Sequence, residues 1–278
     1  MNGKTVVITG ATSGIGESAA FELARRGADL ALLCRSNARG EDTKARIEKE
    51  VGRPCVQLFR ADFERLDDVR EVATQLATAL PKIDVLLNNA GVTMLRREET
   101  VDGFEKTFGV NHLAPFLLTQ RLLPKILESP GARIVNVASE AHRFAKFDLD
   151  DLQSERRFSS MRVYGASKLA NILYTHELAR RLEGRDIRVW SLHPGAVATR
   201  LGANNGGIAK LLHPLLTMFF KTPDKGAETS VYLCSEADIE AENGSYFANK
   251  RVKKTTALPR DIETAKRLWD ESERLVGP

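Results

Sequence analysis

Residues 5–16 read T-V-V-I-T-G-A-T-S-G-I-G, a β-branched apolar run followed by a turn carrying glycine at 10, 14 and 16. The run from Thr5 to Thr9 has no solvent face, which suits a strand covered on both sides. Gly10 lets the chain turn sharply out of that strand. Gly14 and Gly16 let backbone N–H groups approach a pyrophosphate at the N-terminus of the following helix. Thr12, Ser13 and Ile15 complete this candidate cradle. The spacing G-x-x-x-G-x-G differs from the common G-x-G-x-x-G fingerprint, so the assignment rests on its place after a first strand.

Outward from this turn, apolar β-rich runs alternate with longer amphipathic ones. The expected strands are 5–9, 29–34, 55–60, 83–87, 133–138, 187–192 and a short 245–248. The expected helices are 14–26, 37–51, 66–80, 104–127, 161–182, 223–235 and 261–275. Such alternation with short connections predicts a single α/β domain over 1–278: a doubly wound Rossmann-type fold, with a seven-stranded parallel sheet and helices on both faces. Two connections, 139–160 and 193–222, are too long for ordinary loops. Both follow strands at their carboxyl ends, where open α/β sheets bind ligands, and are expected to form the substrate pocket.

Composition narrows the function classes. The 278 residues are 42% hydrophobic, enough for one large core. A net charge of +4 from 41 basic and 37 acidic side chains, scattered along the chain, argues against a nucleic-acid footprint. Cys34, Cys55 and Cys234 have no metal-ligand spacing and read as buried reduced thiols, with no metal site. The first strand begins about four residues in, leaving no signal peptide, and no run reaches the ~18 apolar residues of a membrane span. The expectation is a cytoplasmic protein.

The remaining motifs point to chemistry on a dinucleotide. The second strand ends L-L-C-R, placing Arg35 where a carboxylate would bind a ribose 2′-hydroxyl. A guanidinium there pairs with a 2′-phosphate, with Arg39 and the Ser36 hydroxyl assisting, so NADP(H) is the expected cofactor. Asp62 either accepts from an adenine amino group or caps the helix beginning near Leu66. Asn88, with Ala90 and Gly91 in N-N-A-G, bridges to neighbouring strands or to a ribose. Ser139 ends R-I-V-N-V-A-S and can donate to a substrate oxygen. Tyr164 and Lys168, in Y-G-A-S-K, lie one helical turn apart, and the ammonium is expected to favour the phenolate. Pro194 and Gly195 in H-P-G form a wall beside a nicotinamide ring, with His193 structural. Thr199 sits where a hydroxyl could meet the carboxamide.

Taken together, T-G-A-T-S-G-I-G, N-N-A-G, Ser139, Y-G-A-S-K and H-P-G occur in the order of the short-chain dehydrogenase/reductase family, which the chain resembles over nearly its whole length. The resemblance implies a tetrad of Ser139, Tyr164, Lys168 and Asn111, the last in G-V-N-H-L-A-P-F. Tyr164 would be the acid/base. Lys168 would lower its pKa and hold the nicotinamide ribose, Ser139 would position the substrate oxygen, and Asn111 would keep a water-linked proton path in place. Finer features, C-R-S-N-A-R-G-E, V-N-V-A-S-E-A-H and S-K-L-A-N-I-L-Y-T-H-E-L-A-R-R-L, resemble the branch of retinol dehydrogenases, the WW-domain oxidoreductase and protochlorophyllide reductase. That branch generally favours NADP(H).

The expected activity is therefore interconversion of a carbonyl and an alcohol on a lipophilic small molecule. A nucleotide-binding sensor without turnover, and a carbon–carbon double-bond reductase, are the alternatives. The apolar stretch 211–220 (L-L-H-P-L-L-T-M-F-F) reads as a lid over such a substrate, a subunit contact or a shallow membrane contact. Family members often form dimers or tetramers, which admits a homo-oligomer.

Overall fold

The computed structural model describes residues 1–195, 222–256 and 261–277. In chain order the elements are β1 (Thr5–Thr9), α1 (Gly14–Arg25), β2 (Asp29–Cys34), α2 (Asn37–Val51), β3 (Val56–Arg60), α3 (Leu66–Ala79), β4 (Val85–Asn88), α4 (Lys106–Phe108), α5 (Ala114–Ile126), β5 (Ala132–Val137), α6 (Ser160–Arg181), β6 (Ile187–His193), α7 (Pro223–Ser235), β7 (Tyr246–Ala248), β8 (Arg251–Val252) and α8 (Ile262–Val276). The sheet order is β3-β2-β1-β4-β5-β6-β7-β8. All neighbours through β7 are parallel.

Side chains alternate across this sheet and build two cores. Val7, Leu86, Ile134 and Val189 face α3, α5, α6 and α8. Val6, Ile8, Leu32, Leu87 and Val135 face α1, α2 and α7. Helices thus cover both faces, which is why the central strands are apolar throughout rather than on alternate positions. The order reverses between β1 and β4, and a crevice opens there at the strands' carboxyl ends.

Two expectations change. The sheet has eight strands, not seven: β8 pairs antiparallel with β7 through Phe247↔Val252 and Ala248↔Arg251. The two residues between them, Asn249 and Lys250, have φ of 51° and 61°, the backbone of a type I′ hairpin turn. The single helix expected over 104–127 is broken by a π-helical segment, Gly109–Leu113, between α4 and α5. Pro115 explains the break. Lacking an N–H, it cannot serve the carbonyl of Asn111 four residues earlier, and the Ala114 N–H bonds back to Gly109 instead. The freed Asn111 carbonyl accepts from Asn171 Nδ2 on α6 at 3.0 Å.

Candidate active site

A cavity of about 350 Å³ lies at the strand-order reversal, walled by the ends of β1, β2, β4 and β5 and by one face of α6. Its floor is the glycine-rich turn, where Gly10 and Gly14 adopt φ of 64° and 57°. All of Gly10, Thr12, Ser13, Gly14, Ile15 and Gly16 line it. Ser13 is the N-cap of α1 yet its side chain makes no capping bond. The first-turn N–H groups and the positive end of the helix dipole therefore remain available to an anion. This cradle fits a dinucleotide pyrophosphate.

Gly16 has a packing reason for being glycine beside the one expected. A methyl group there would fall well inside contact distance of Asn89 Nδ2 and of the Gly10 carbonyl oxygen. It is required by the packing of α1 on its own turn. Asn89 locks that turn: Nδ2 donates to the carbonyls of Thr9 at 2.9 Å and Gly10 at 3.2 Å. Its backbone N–H and that of Ala90 both reach Thr9 Oγ1 at 2.9 Å.

Asn89, Ala90 and Gly91 line the cavity, whereas Asn88 does not. The Asn88 amide donates to Thr119 Oγ1 at 3.0 Å and Asn136 Oδ1 at 2.9 Å, tying β4 to α5 and β5. Of the two readings of that residue, the strand bridge is the one formed. Strand alternation carries the signal: Asn88 still belongs to β4 and pairs in register with Asn136, while Asn89 is the first residue beyond it.

At the other end, Arg35, Arg39 and Asp62 line the cavity. The Arg35 side chain is 48% exposed and pairs with Glu64 at 3.5 Å. Ser36 is occupied as the N-cap of α2, accepting from the Arg39 N–H. Asp62 does not cap α3. Its carboxylate accepts from the Glu64 N–H at 3.1 Å, and the Leu66 N–H is served by Asp102 at 2.7 Å.

Tyr164 and Lys168 reach the cavity from α6. Lys168 is buried, donates to the Val137 carbonyl at 2.9 Å, and stands 5.7 Å from the Tyr164 ring centroid. Burial brings the ammonium down to about 8. Burial also pushes the Tyr164 phenol up to about 12, against a lowering hydrogen bond from Ser139. Desolvation is the largest influence on this phenol, which keeps its proton at neutral pH.

Ser139 follows β5 and caps the 3₁₀ turn Glu140–Phe144, its Oγ accepting from the Ala141 N–H at 3.2 Å. That bond occupies a lone pair and leaves the hydroxyl proton for the Tyr164 phenol oxygen. Asn111, fully buried, sits behind. Its Oδ1 accepts from the Val92 N–H at 2.7 Å, and its Nδ2 donates to the Val92 carbonyl at 2.9 Å and Ser167 Oγ at 3.0 Å. Gly91 leaves room here, since a methyl on it would lie 3.3 Å from both Asn111 Oδ1 and Lys168 Nζ.

Pro194 lines the cavity and Gly195 adopts φ of 95°. His193 Nδ1 accepts from the Glu140 N–H at 3.3 Å, a structural tie between two loops. Thr199 and the 211–220 stretch lie outside the described residues. The three cysteines are buried and unpaired, and the described residues hold no cluster suited to a metal ion. No helix among them is long and apolar enough to cross a membrane.

Comparison with known proteins agrees with this geometry. A family profile described as short chain dehydrogenase matches residues 4–207. Retinol dehydrogenase 12 of Mus musculus is 41% identical over 275 residues, covering 99% of this chain and 87% of the relative. A solved protein of Mycobacterium paratuberculosis superposes with a TM-score of 0.79 at 33% identity, covering 99% of this chain and 94% of its own. A short-chain dehydrogenase of Escherichia coli CFT073, solved in complex with NADPH, gives a TM-score of 0.72 at 27% identity, covering 89% and 96%. The chain is an alcohol/carbonyl oxidoreductase of the short-chain dehydrogenase family, on its retinol dehydrogenase-like branch.

Proposed function

We propose that this protein is an NADP(H)-dependent oxidoreductase that interconverts a carbonyl and an alcohol on a lipophilic small molecule. The observation that carries this reading is the meeting of Tyr164 and Lys168 at one wall of a cavity whose far end holds Arg35 and Arg39, with the Ser139 hydroxyl hydrogen-bonded to Tyr164. The uncapped α1 N-terminus would hold the pyrophosphate. Arg35 and Arg39 would take the 2′-phosphate, since β2 is followed by Arg35 rather than by an acidic residue. The NADPH found in the E. coli relative supports the same choice.

Lipophilicity is supported by three large apolar side chains held out to solvent: Leu95, Phe144 and Met161 are 63%, 68% and 60% exposed. They stand on the segments that carry Gly91, Ser139 and Tyr164 respectively. Retinol, the substrate in the name of the mouse relative, is itself an apolar alcohol.

The bound dinucleotide supplies or accepts the hydride. Tyr164 moves the proton: with its pKa near 12 the phenol is protonated at neutral pH, ready to donate to a carbonyl oxygen as that oxygen gains charge. The Ser139 hydroxyl donates a second hydrogen bond to the same oxygen. The Lys168 ammonium, next to the Tyr164 ring, stabilises the phenolate left behind. Asn111 braces the 92 and 167 segments around this group.

The test is NADPH consumption by the wild-type protein against apolar aldehydes and ketones, retinal among them, beside Tyr164→Phe. Removing the phenol proton donor is expected to cut turnover roughly 10²–10⁴-fold while NADPH binding is retained. Equal turnover by the two proteins would overturn the reading. Tight NADPH binding with no turnover on any carbonyl would replace it with a nucleotide-binding protein.

A further inference from the structure

We infer that Glu140 is a positioning residue for the Ser139 hydroxyl, acting through the turn that both residues share; this rests on the role proposed for Ser139 above. Glu140 is the hub of a network that ties this turn to the β7–β8 hairpin. Its Oε1 accepts from Tyr246 Oη at 2.9 Å. Its Oε2 accepts from Arg143 Nε at 2.8 Å and pairs with Lys253 Nζ at 3.2 Å. These donors come from the turn itself, from β7 and from the residue after β8. The backbone closes the same circuit, with the Glu140 N–H on His193 Nδ1 and Arg143 Nη2 on the Lys254 carbonyl at 2.8 Å.

Beneath the carboxylate the packing is tight. His142 and Tyr246 are buried with ring centroids 5.3 Å apart, edge to face. The Ser139 carbonyl accepts from both the His142 N–H at 3.1 Å and His142 Nδ1 at 2.7 Å. Ser139 is therefore held on its carbonyl side by His142, on its hydroxyl side by Ala141, and through its neighbour by a charge. The three donors hold the Glu140 carboxyl at about 2, so it is ionised at neutral pH.

An ion pair exposed as far as Lys253, at 46%, adds little stability alone. What Glu140 adds is direction. It fixes the azimuth of a turn whose first residue must aim a hydroxyl at a substrate oxygen, and misplacement by an ångström at such a point is costly. The charge also gives buried Tyr246 Oη an acceptor.

The experiment is a mutant cycle on carbonyl reduction using Glu140→Gln, Ser139→Ala and the double variant, with NADPH affinity read by cofactor fluorescence. Glu140→Gln is expected to lower kcat about tenfold, through lost hydroxyl placement, with NADPH affinity essentially unchanged. In the Ser139→Ala background the same change should cost nothing further, because its route runs through the missing hydroxyl. A purely structural carboxylate would lower Tm and leave kcat alone, or would lower kcat equally in both backgrounds; either result overturns the inference. If Glu140→Gln fails to fold, Lys253→Met, a half-exposed side chain, replaces it in the cycle with the same criteria. A wild-type protein without carbonyl reductase activity would instead overturn the proposed function, and with it this role.

Discussion

Lys168 Nζ lies 5.7 Å from the centroid of the Tyr164 ring while donating to the Val137 carbonyl at 2.9 Å, so the ammonium is anchored to β5 rather than to the phenol. Both groups pay for desolvation, and both are driven toward neutrality: Lys168 down to about 8, Tyr164 up to about 12. The site is poised with its proton on the tyrosine. In the proposed mechanism, reduction of a carbonyl would use that state directly, whereas oxidation of an alcohol would first have to draw the proton off.

The lysine leaves a signature in stability. Its pKa falls from an ordinary 10.5 unfolded to about 8 folded, so between those values the unfolded chain binds more protons. Stability from this group is complete above 10.5 and is lost as pH falls through 8. Chemical denaturation at pH 8 and pH 10 is expected to show wild type gaining on Lys168→Met by about 2–3 kcal/mol over that interval. Tyr164 works oppositely, but only above pH 10. Parallel stability curves for the two proteins would contradict the buried-ammonium account.

Coenzyme choice tests the far end of the cavity. Arg35 is half exposed and holds Glu64 at 3.5 Å, leaving guanidinium donors for an incoming phosphate. Arg35→Glu should weaken NADPH binding about 10- to 100-fold by replacing a charge-assisted pair with repulsion, while NADH binding holds or improves. Titration of both coenzymes by protein fluorescence checks this. An unchanged NADPH-to-NADH ratio would remove Arg35 from the 2′-phosphate site.

His112 makes a prediction in acid. Asn171 Nδ2 is committed to the Asn111 carbonyl, so Asn171 Oδ1 must accept, and His112 Nδ1 at 3.2 Å must carry the proton. Nε2 then shares the single Ser272 hydroxyl proton with the Leu268 carbonyl, Oγ lying 2.9 Å from Nε2 and 2.7 Å from that oxygen. Burial lowers this imidazole from 6.5 to about 4, so its contribution to stability is intact above 6.5 and lost as pH falls through 4. Nitrogen-15 NMR of the imidazole should find the neutral Nδ1–H tautomer still dominant at pH 5.5. An imidazolium or an Nε2–H tautomer at that pH would be the contrary result.

What could be read in the sequence followed how local the physics was. The glycine turn and the Tyr164–Lys168 pair are visible because each is a spacing of a few residues along the chain. The break before α5 was also written locally, in Pro115, but its consequence needed Asn171 from another helix to satisfy the freed carbonyl. Asn88 and Asn89 look alike until the end of β4 is known to one residue. The upward push on the Tyr164 phenol belongs to neither residue: it arises from the protein packed around both, which no spacing records.

Gly16 separates packing from ligand approach. A methyl there would press on the Gly10 carbonyl, which is backbone, and on the Asn89 amide that bridges Thr9 and Gly10. Neither can yield without opening the turn. Gly16→Ala should therefore cost about 3 kcal/mol as overpacking and weaken dinucleotide binding together with stability. Gly52, at the end of α2 with φ of 70° and no heavy atom within 4 Å of an added methyl, is the control. Gly52→Ala should cost about 1 kcal/mol through backbone strain alone and leave dinucleotide affinity untouched. Denaturant unfolding and NADPH titration of both variants decide the matter. A Gly16→Ala protein that stays as stable as wild type but loses NADPH would show that the glycine serves the ligand, as the motif alone suggests, and not the fold.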